Sequence, residues 1–162
     1  MVQRSHFPLV HRLRVRWQEV DAQQVVFNGH YLTYLDVAIS DYWRGIGMPY
    51  PDAFVHLGGD VLVRHHELSY HAPARLDDYL DIGLRCDSVG TSSIKMAWAI
   101  WSDHRLLATG VTTYVYISLS TGRSHMVPPE LRKHIEAHAQ GSALITAQVG
   151  TWEELAPGAR AV

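Results

Sequence analysis

Cysteine and excess charge are what this 162-residue chain has least of. A single cysteine, Cys86, excludes an internal disulfide and a cysteine-rich zinc site. The net charge of -2 lacks the basic excess that nucleic-acid-binding domains usually carry, so we expect no nucleic-acid partner. The remaining composition, with 47% hydrophobic and 19% charged residues, is that of an ordinary globular domain.

Long apolar runs are also missing. No stretch of about 18 apolar residues occurs, so we expect no membrane insertion. The first residues, MVQRSHFPLVHRLRV, lack the apolar centre of a secretory signal, which favours a cytoplasmic protein. Without an internal repeat, the sequence predicts one domain over residues 1–140. Residues 141–162, which include Trp152, are predicted to be a weakly structured tail.

Several kinds of catalytic site lack their motifs. The chain has 11 histidines but no HExxH sequence, and His65 and His66 on one strand would point to opposite faces. His134 and His138 are four residues apart on a predicted helix, but no third ligand is evident nearby, so we predict no metal. Cys86 alternates with core residues and is interpreted as a buried thiol.

The stretch from Trp17 to Trp43 predicts a polar loop followed by a long helix. Apolar side chains recur at three- and four-residue steps, as one buried helical face requires. They are Leu32, Leu35, Ile39 and Tyr42, with Tyr31, Tyr34 and Ala38 widening the face. Asn28 or Gly29 can cap the start, and Gly45 with Gly47 can end the helix.

Alternating polarity predicts five strands, at residues 9–18, 60–71, 79–86, 94–101 and 106–119. In the first strand, Trp17 is expected on the apolar face, opposite three outward arginines: Arg12, Arg14 and Arg16. A second helix is predicted from Glu130 to about Ala139, after Pro128 and Pro129. Large aromatic side chains are expected to offer surface to a second copy of the chain. They are Trp98, Trp101, Tyr114 and Tyr116.

Asp21 is the ionisable residue that stands out in the loop before the long helix. A carboxylate just ahead of a helix lies near unpaired backbone N–H groups and the positive end of the helix dipole. It either satisfies helix amides or acts as a nucleophile or base beside a ready oxyanion hole. The spacing leaves both interpretations open.

The segment VRWQEVDAQQVVFNGHYLTYLD resembles the 4-hydroxybenzoyl-CoA thioesterase-like subgroup of the hotdog-fold acyl-CoA thioesterases. SYHAPARLDDYLDIGLRC and GTSSIKMAW are similar to two further landmarks of that family. One departure is Gln24, where the family commonly has glycine, a residue that adopts backbone angles glutamine disfavours. Either the loop is ordinary here, or Gln24 has its own role near the substrate.

The resemblance implies an α+β hotdog fold, in which an antiparallel sheet of five or six strands wraps around one long central helix and a C-terminal helix follows. It implies a homodimer or a dimer of dimers (a homotetramer), with the thioester at the interface and no cofactor, since coenzyme A is part of the substrate. The catalytic positions it implies are Asp21, Asn28, His30 and Tyr31. The substrate-binding positions are Gln24, Val26, Phe27, Thr91, Ser92 and Ser93.

Hydrolysis of an acyl-CoA to a free acid and CoA is the expected function, with amides around Asn28 to Tyr31 as the oxyanion hole. Asp36, on the helix, is the alternative catalytic carboxylate if Asp21 does not have that role. Two other functions remain open: a non-catalytic acyl-CoA-binding domain, and a hydroxyacyl-thioester dehydratase of the same fold.

Overall fold

The computed structural model describes residues 2–139 and the short segment Ile145–Ala147. Six strands form one sheet: β1 (Leu9–Arg14), β2 (Gly59–Tyr70), β3 (Tyr79–Val89), β4 (Ser93–Ser102), β5 (Arg105–Ser118) and β6 (Ile145–Ala147). Three helices accompany them: α1 (His30–Gly45), α2 (Asp52–His56) and α3 (Pro129–Ala139). The sheet order is β2-β5-β4-β3-β1-β6, antiparallel except for the parallel β1–β6 pair. The expected hotdog arrangement is confirmed, and most of the predicted tail lies outside the described residues.

Helix α1 is held by its buried face. Seven of its side chains are buried, among them Leu35, Ala38 and Trp43. Burying a large apolar side chain contributes roughly 1.5–3 kcal/mol, so packing outweighs the weak N-terminus, where no side chain caps the helix. The predicted bounds hold to within one residue, because Gly29 precedes the first turn and Gly47, at φ +77°, follows the last.

The first strand is shorter than predicted. It ends at Arg14, and Trp17–Glu19 forms a 3-10 turn instead of continuing the strand. Trp17 is therefore 80% exposed, and its assignment to the apolar face is wrong. The turn forms because the Glu19 carboxylate accepts the backbone N–H of Arg16, which rotates the intervening residues out of register.

The three arginines of this region all meet carboxylates. Arg12 donates to both oxygens of buried Asp81, at 2.6 and 2.9 Å. Arg14 lies 3.7 Å from Asp77, and Arg16 binds Glu19. The basic outer face is thus neutralised within the protomer.

Strand β2 contains a bulge at Arg64. The register to β5 shifts between Val63 and His65, so strict alternation fails there. His66 and Leu68 consequently lie on the same side as Val61, facing the core rather than away from it: His66 contacts buried Thr112, and Leu68 packs on the core. Strict alternation along residues 60–71 predicts opposite faces for Val61 and His66, and the bulge makes that prediction wrong.

The four aromatic residues expected to offer intersubunit surface are buried within the protomer. Trp98, Tyr114 and Tyr116 belong to the core shared by the sheet and α1. Trp101 lies on the other face, where Phe7 packs edge-on at 5.4 Å. That prediction is wrong because α1 covers one face of the sheet and the N-terminal segment covers part of the other. Among the described helices, none is long and apolar enough to cross a membrane.

Candidate active site

The loop that carries Asp21 is a tight turn closed by its own backbone. The N–H of Asp21 donates to the carbonyl of Val25 and the N–H of Gln24 donates to the carbonyl of Asp21, both at 2.9 Å. One carboxylate oxygen of Asp21 accepts the N–H of Gln23 at 2.8 Å. The other has no hydrogen-bond partner in the part of the chain that the structure describes. The half-exposed carboxylate is therefore oriented by one bond and keeps one oxygen free.

Gln24 takes the backbone conformation that its position normally reserves for glycine. Its φ is +61°, in the left-handed region where a side chain is strained. The turn around Asp21 has thus kept its shape despite the substitution, and the strain is absorbed at Gln24. Of the two alternatives posed by the sequence, the ordinary conformation is excluded.

Glu19 anchors the loop, a role that the sequence did not predict. Only 2% of it is exposed, and its carboxylate accepts bonds from the Arg16 backbone, the Arg16 side chain and the Tyr34 hydroxyl at 2.7–2.8 Å. Burial raises the pKa of Glu19, but these hydrogen bonds outweigh burial and hold its pKa below the ordinary value. Its carbonyl also accepts the N–H of Phe27 at 2.9 Å. Glu19 therefore ties the loop to α1 and has no free oxygen for chemistry.

The start of α1 offers two free amides. The N–H groups of His30, Tyr31 and Leu32 already donate to the carbonyls of Phe27, Asn28 and Gly29. The N–H groups of Asn28 and Gly29 have no partner among the described residues. Both precede a helix of 16 residues, whose dipole adds positive potential at that end. Of the candidate oxyanion donors at residues 28–31, only the N–H groups of Asn28 and Gly29 are therefore available.

Two cavities flank this loop. The helix-start cavity, of about 300 Å³, is lined by Val26, Asn28, Tyr31, Tyr70, His71, Ala72 and Pro73. The loop cavity, of about 480 Å³, is lined by Trp17, Val20, Asp21, Gln24, Arg75 and Leu76. The N–H of Val26 donates to the carbonyl of Ala74 at 2.9 Å, joining the two chain segments that border both cavities. Within one protomer, Asp21 and Gln24 therefore face one cavity, and Asn28, Tyr31 and Val26 the other.

The aromatic residues near the helix start pack on one another. Phe27 is half exposed and meets the ring of His30 edge-on at 6.0 Å. The His30 ring stacks on Tyr34 at 6.5 Å. Tyr31 is buried, and its hydroxyl accepts the N–H of Ala74 at 3.1 Å. Burial raises the pKa of Tyr31, so its phenol stays protonated at neutral pH.

The predicted substrate-binding turn lies elsewhere. Thr91 and Ser92 connect β3 to β4, which begins at Ser93, beside α3, whose Arg132 donates to the carbonyls of Val89 and Gly90. Helix α3 also reaches the C-terminal end of α1, where His134 contacts the carbonyl of Ile46 at 2.7 Å. Through α3 the turn is linked to the C-terminal end of α1, whereas the Asp21 loop precedes its N-terminus, and a helix of 16 residues is about 24 Å long. One protomer does not bring these residues together with Asp21.

Asp36, the alternative to Asp21, faces a third cavity, of about 270 Å³. Asp36 lines it together with Trp43, Tyr50, Val63 and Tyr114. The Tyr114 hydroxyl is buried there and has no hydrogen-bond partner among the described residues. Asp36 itself is exposed and lies about two helical turns from the free amides.

Neither histidine pair forms a metal site in the described ranges, 2–139 and 145–147, where no group of three suitable ligands occurs. The Nδ1 atoms of His134 and His138 already contact the carbonyls of Ile46 and His134. Cys86 is half-buried, and burial raises its pKa to about 11, which leaves an unreactive thiol at neutral pH.

Comparison with known proteins gives the family. The protein-family model described as "Thioesterase superfamily" matches residues 23–109, just over half of the chain. The chain therefore belongs to the thioesterase superfamily, and the protein is a thioester hydrolase of the hotdog fold. The matched region contains Gln24 and the start of α1 but begins two residues after Asp21, so the role of Asp21 depends on the geometry above.

Three similar proteins illustrate the relationship. A putative esterase of Aquifex aeolicus is 23% identical over 124 residues, covering 76% of this chain and 94% of the relative. A 1,4-dihydroxy-2-naphthoyl-CoA hydrolase of Synechococcus elongatus is 22% identical over 126 residues, covering 77% and 93%. A thioesterase from Thermus thermophilus, solved with coenzyme A and zinc, is 27% identical with a TM-score of 0.73, covering 83% and 96%.

Proposed function

We propose that the protein hydrolyses an acyl-CoA thioester to a free carboxylic acid and CoA, with Asp21 as the nucleophile or general base. The observation that carries the proposal is a half-exposed carboxylate, oriented by the Gln23 amide, just ahead of a helix start with two free N–H groups. The coenzyme A bound to the similar Thermus thermophilus thioesterase supports CoA as the thiol.

The reaction makes modest chemical demands. A thiol has a pKa of about 8.5, so the CoA thiolate leaves without a strong general acid. Asp21 either attacks the carbonyl carbon, forming an anhydride that water then hydrolyses, or takes a proton from water as the water attacks. In both routes negative charge develops on the carbonyl oxygen. For the Asn28 and Gly29 N–H groups to stabilise it, the thioester must lie across the Val26–Ala74 backbone bond, between the cavity that Asn28 lines and the cavity that Asp21 lines. Water and the thioester are the reactants, and no cofactor is required.

The site needs a second copy of the chain to close. Among the described residues, strand β2 pairs with β5 on one side only and leaves a 12-residue edge that carries exposed Leu62, Val63 and Tyr70. Such an edge is a template for pairing with another strand. Antiparallel pairing of β2 with its copy sets the Gly59 end of one protomer beside the Tyr70 end of the other.

This pairing explains the distant turn. Gly59 pairs with Ser118 on β5, and the nearby Tyr116 N–H donates to the carbonyl of Ser92. The turn containing Thr91, Ser92 and Ser93 therefore lies near the Gly59 end of β2. In a β2–β2 dimer it approaches the helix-start cavity of the other protomer, where we propose that it contacts the CoA arm. Two such dimers can associate further into a tetramer.

Asp21→Asn tests the proposal. Asparagine can still accept the Gln23 N–H through its side-chain oxygen, so the loop should persist while the nucleophile or base is lost. In a thiol-release assay over a panel of acyl-CoAs, we expect kcat/KM to fall by about 10²–10⁴. Asp36→Asn, the same change at the carboxylate on α1, is the matched control, and we expect it to retain activity.

Thermal unfolding of each variant should match the native protein, which confirms folding. Equal turnover in native protein and Asp21→Asn would contradict the role of Asp21, and a loss in Asp36→Asn would transfer it to Asp36. Absence of turnover in the native protein, with retained acyl-CoA binding, would favour the binding domain instead.

A further inference from the structure

The peptide that joins Asn28 to Gly29 is held through its carbonyl, while its N–H remains free among the described residues. Its N–H, on Gly29, is one of the two free donors at the helix start. Its carbonyl, on Asn28, accepts the hydroxyl of Tyr70 at 2.9 Å. The two groups belong to one planar unit and move together. The other bond to this carbonyl, from the Tyr31 N–H, is long at 3.4 Å, so Tyr70 makes the shorter contact.

Tyr70 is itself held in place. It is the last residue of β2, and its ring meets the buried ring of Tyr31 edge-on at 5.2 Å with an interplanar angle of 84°. Both rings line the helix-start cavity together with Asn28. The hydroxyl therefore approaches the Asn28 carbonyl from a strand, while the rest of the peptide belongs to the helix start.

Two physical effects follow from this bond. A hydrogen bond to a peptide carbonyl polarises the same peptide and strengthens its N–H as a donor by an estimated ~10–30%. It also restrains rotation of the peptide plane, and an oxyanion donor must be held within roughly 10–20° of its productive direction. Both effects act on the Gly29 N–H, which Tyr70 itself does not touch.

We propose that Tyr70 is a positioning residue for the oxyanion hole, acting through the Asn28–Gly29 peptide. This inference rests on the proposed function, because it assumes that the Gly29 N–H stabilises charge on the thioester oxygen. It adds a link that the hydrolysis itself does not require: the edge strand proposed to form the dimer also sets the direction of a catalytic amide. A disturbance of β2 reaches the reacting carbonyl through one hydroxyl.

Tyr70→Phe removes the hydroxyl and keeps the ring against Tyr31. Because the Gly29 N–H is loosened rather than removed, we expect kcat to fall about tenfold, less than the 10²–10³ lost with a whole donor. KM should change less than twofold, since the effect is on the transition state. Tyr79→Phe is the matched control: Tyr79 is also a partly exposed strand tyrosine, lines neither site cavity, and should leave both constants unchanged.

A spectroscopic measurement separates positioning from packing. An acyl-CoA labelled with carbon-13 at the carbonyl is bound to Asp21→Asn, which slows turnover, and its chemical shift is compared with that in the Asp21→Asn, Tyr70→Phe double variant. We expect the bound carbonyl to be polarised in the first protein and shifted back toward the free value in the second. Sedimentation at several protein concentrations monitors the oligomeric state of Tyr70→Phe.

Native kcat and an unchanged carbonyl shift after removal of the hydroxyl would overturn the inference. It would also be overturned if the loss of kcat in Tyr70→Phe recovered at high protein concentration, because dimer contacts alone would then explain it. Failure of the proposed function has a different signature, namely undiminished turnover in Asp21→Asn.

Discussion

The strained backbone at Gln24 makes a quantitative prediction about stability. A residue other than glycine in the left-handed region costs roughly 1–2 kcal/mol, and Gln24 sits there at φ +61°. Its exposed side chain makes no hydrogen bond within the described residues, so little is lost when it is removed. Glycine itself lowers the free energy of unfolding by roughly 0.5–1 kcal/mol, because it increases the conformational entropy of the unfolded chain. Gln24→Gly should therefore raise the free energy of unfolding by about 0.5–1 kcal/mol.

Urea unfolding at one fixed protein concentration measures this difference, because association would otherwise shift the midpoint. For a chain of this size the melting temperature should rise by about 1–4 °C. Gln23→Gly is the control: its φ is not positive, so the same glycine should destabilise by about 0.5–1 kcal/mol. Opposite signs at neighbouring glutamines support the strain. A gain of equal size at both positions, or no gain at Gln24, would refute the reasoning.

Two further stability predictions concern buried polar groups. Glu19→Gln should cost about 1–3 kcal/mol in urea unfolding, because the replaced oxygen no longer accepts its bond. The folded pKa of Glu19 lies below its ordinary value, so its stabilisation is complete above that value and is lost as the pH falls through the folded pKa. As the pH falls through that acidic range, the free energy of unfolding should therefore fall more steeply for the native protein than for Glu19→Gln. Glu136→Gln, at an exposed position, is the control and should show the same pH slope as the native protein. Equal slopes in all three proteins would be inconsistent with the paired carboxylate. Tyr114→Phe should be neutral or stabilising by up to about 1 kcal/mol in the same assay, because its hydroxyl is buried without a partner in the described structure; a clear loss would show that the hydroxyl is bonded.

Local periodicity predicted the parts of the fold that depend on one element and its burial. Helix α1 follows directly from its apolar spacing, and the core faces of β3 and β4 follow from strict alternation, as fully buried Ile82 and Trp98 show. The bulge at Arg64 could not be predicted in this way, because one extra residue reverses the alternation without a mark in the composition. The burial of Trp101 likewise depends on Phe7, a residue far away in sequence.

The candidate site was predictable only in part. The position of Asp21 ahead of a helix is a local property, so the sequence alone could predict that this carboxylate precedes α1. The bond from the Tyr34 hydroxyl to Glu19 joins α1 to a turn, and the bond from Tyr70 joins a strand end to the helix start. Such contacts between distant segments have no signature in a single sequence. The sequence also could not predict that the candidate site residues are divided between two cavities and a remote turn, because that division depends on contacts of the same kind.

The two edges of the described sheet differ in what lies beside them. Along β1, the segment Ile145–Ala147 lies against Leu9, Val10 and His11, and charged Arg12 and Arg14 follow. Along the outer side of β2, no strand in the described part of the chain pairs with its twelve residues. The proposed pairing of β2 with its own copy about a two-fold axis would use the β2 edges of both protomers in one interface. Such a dimer is closed, so it would not extend into the open-ended sheets that unpaired edge strands favour.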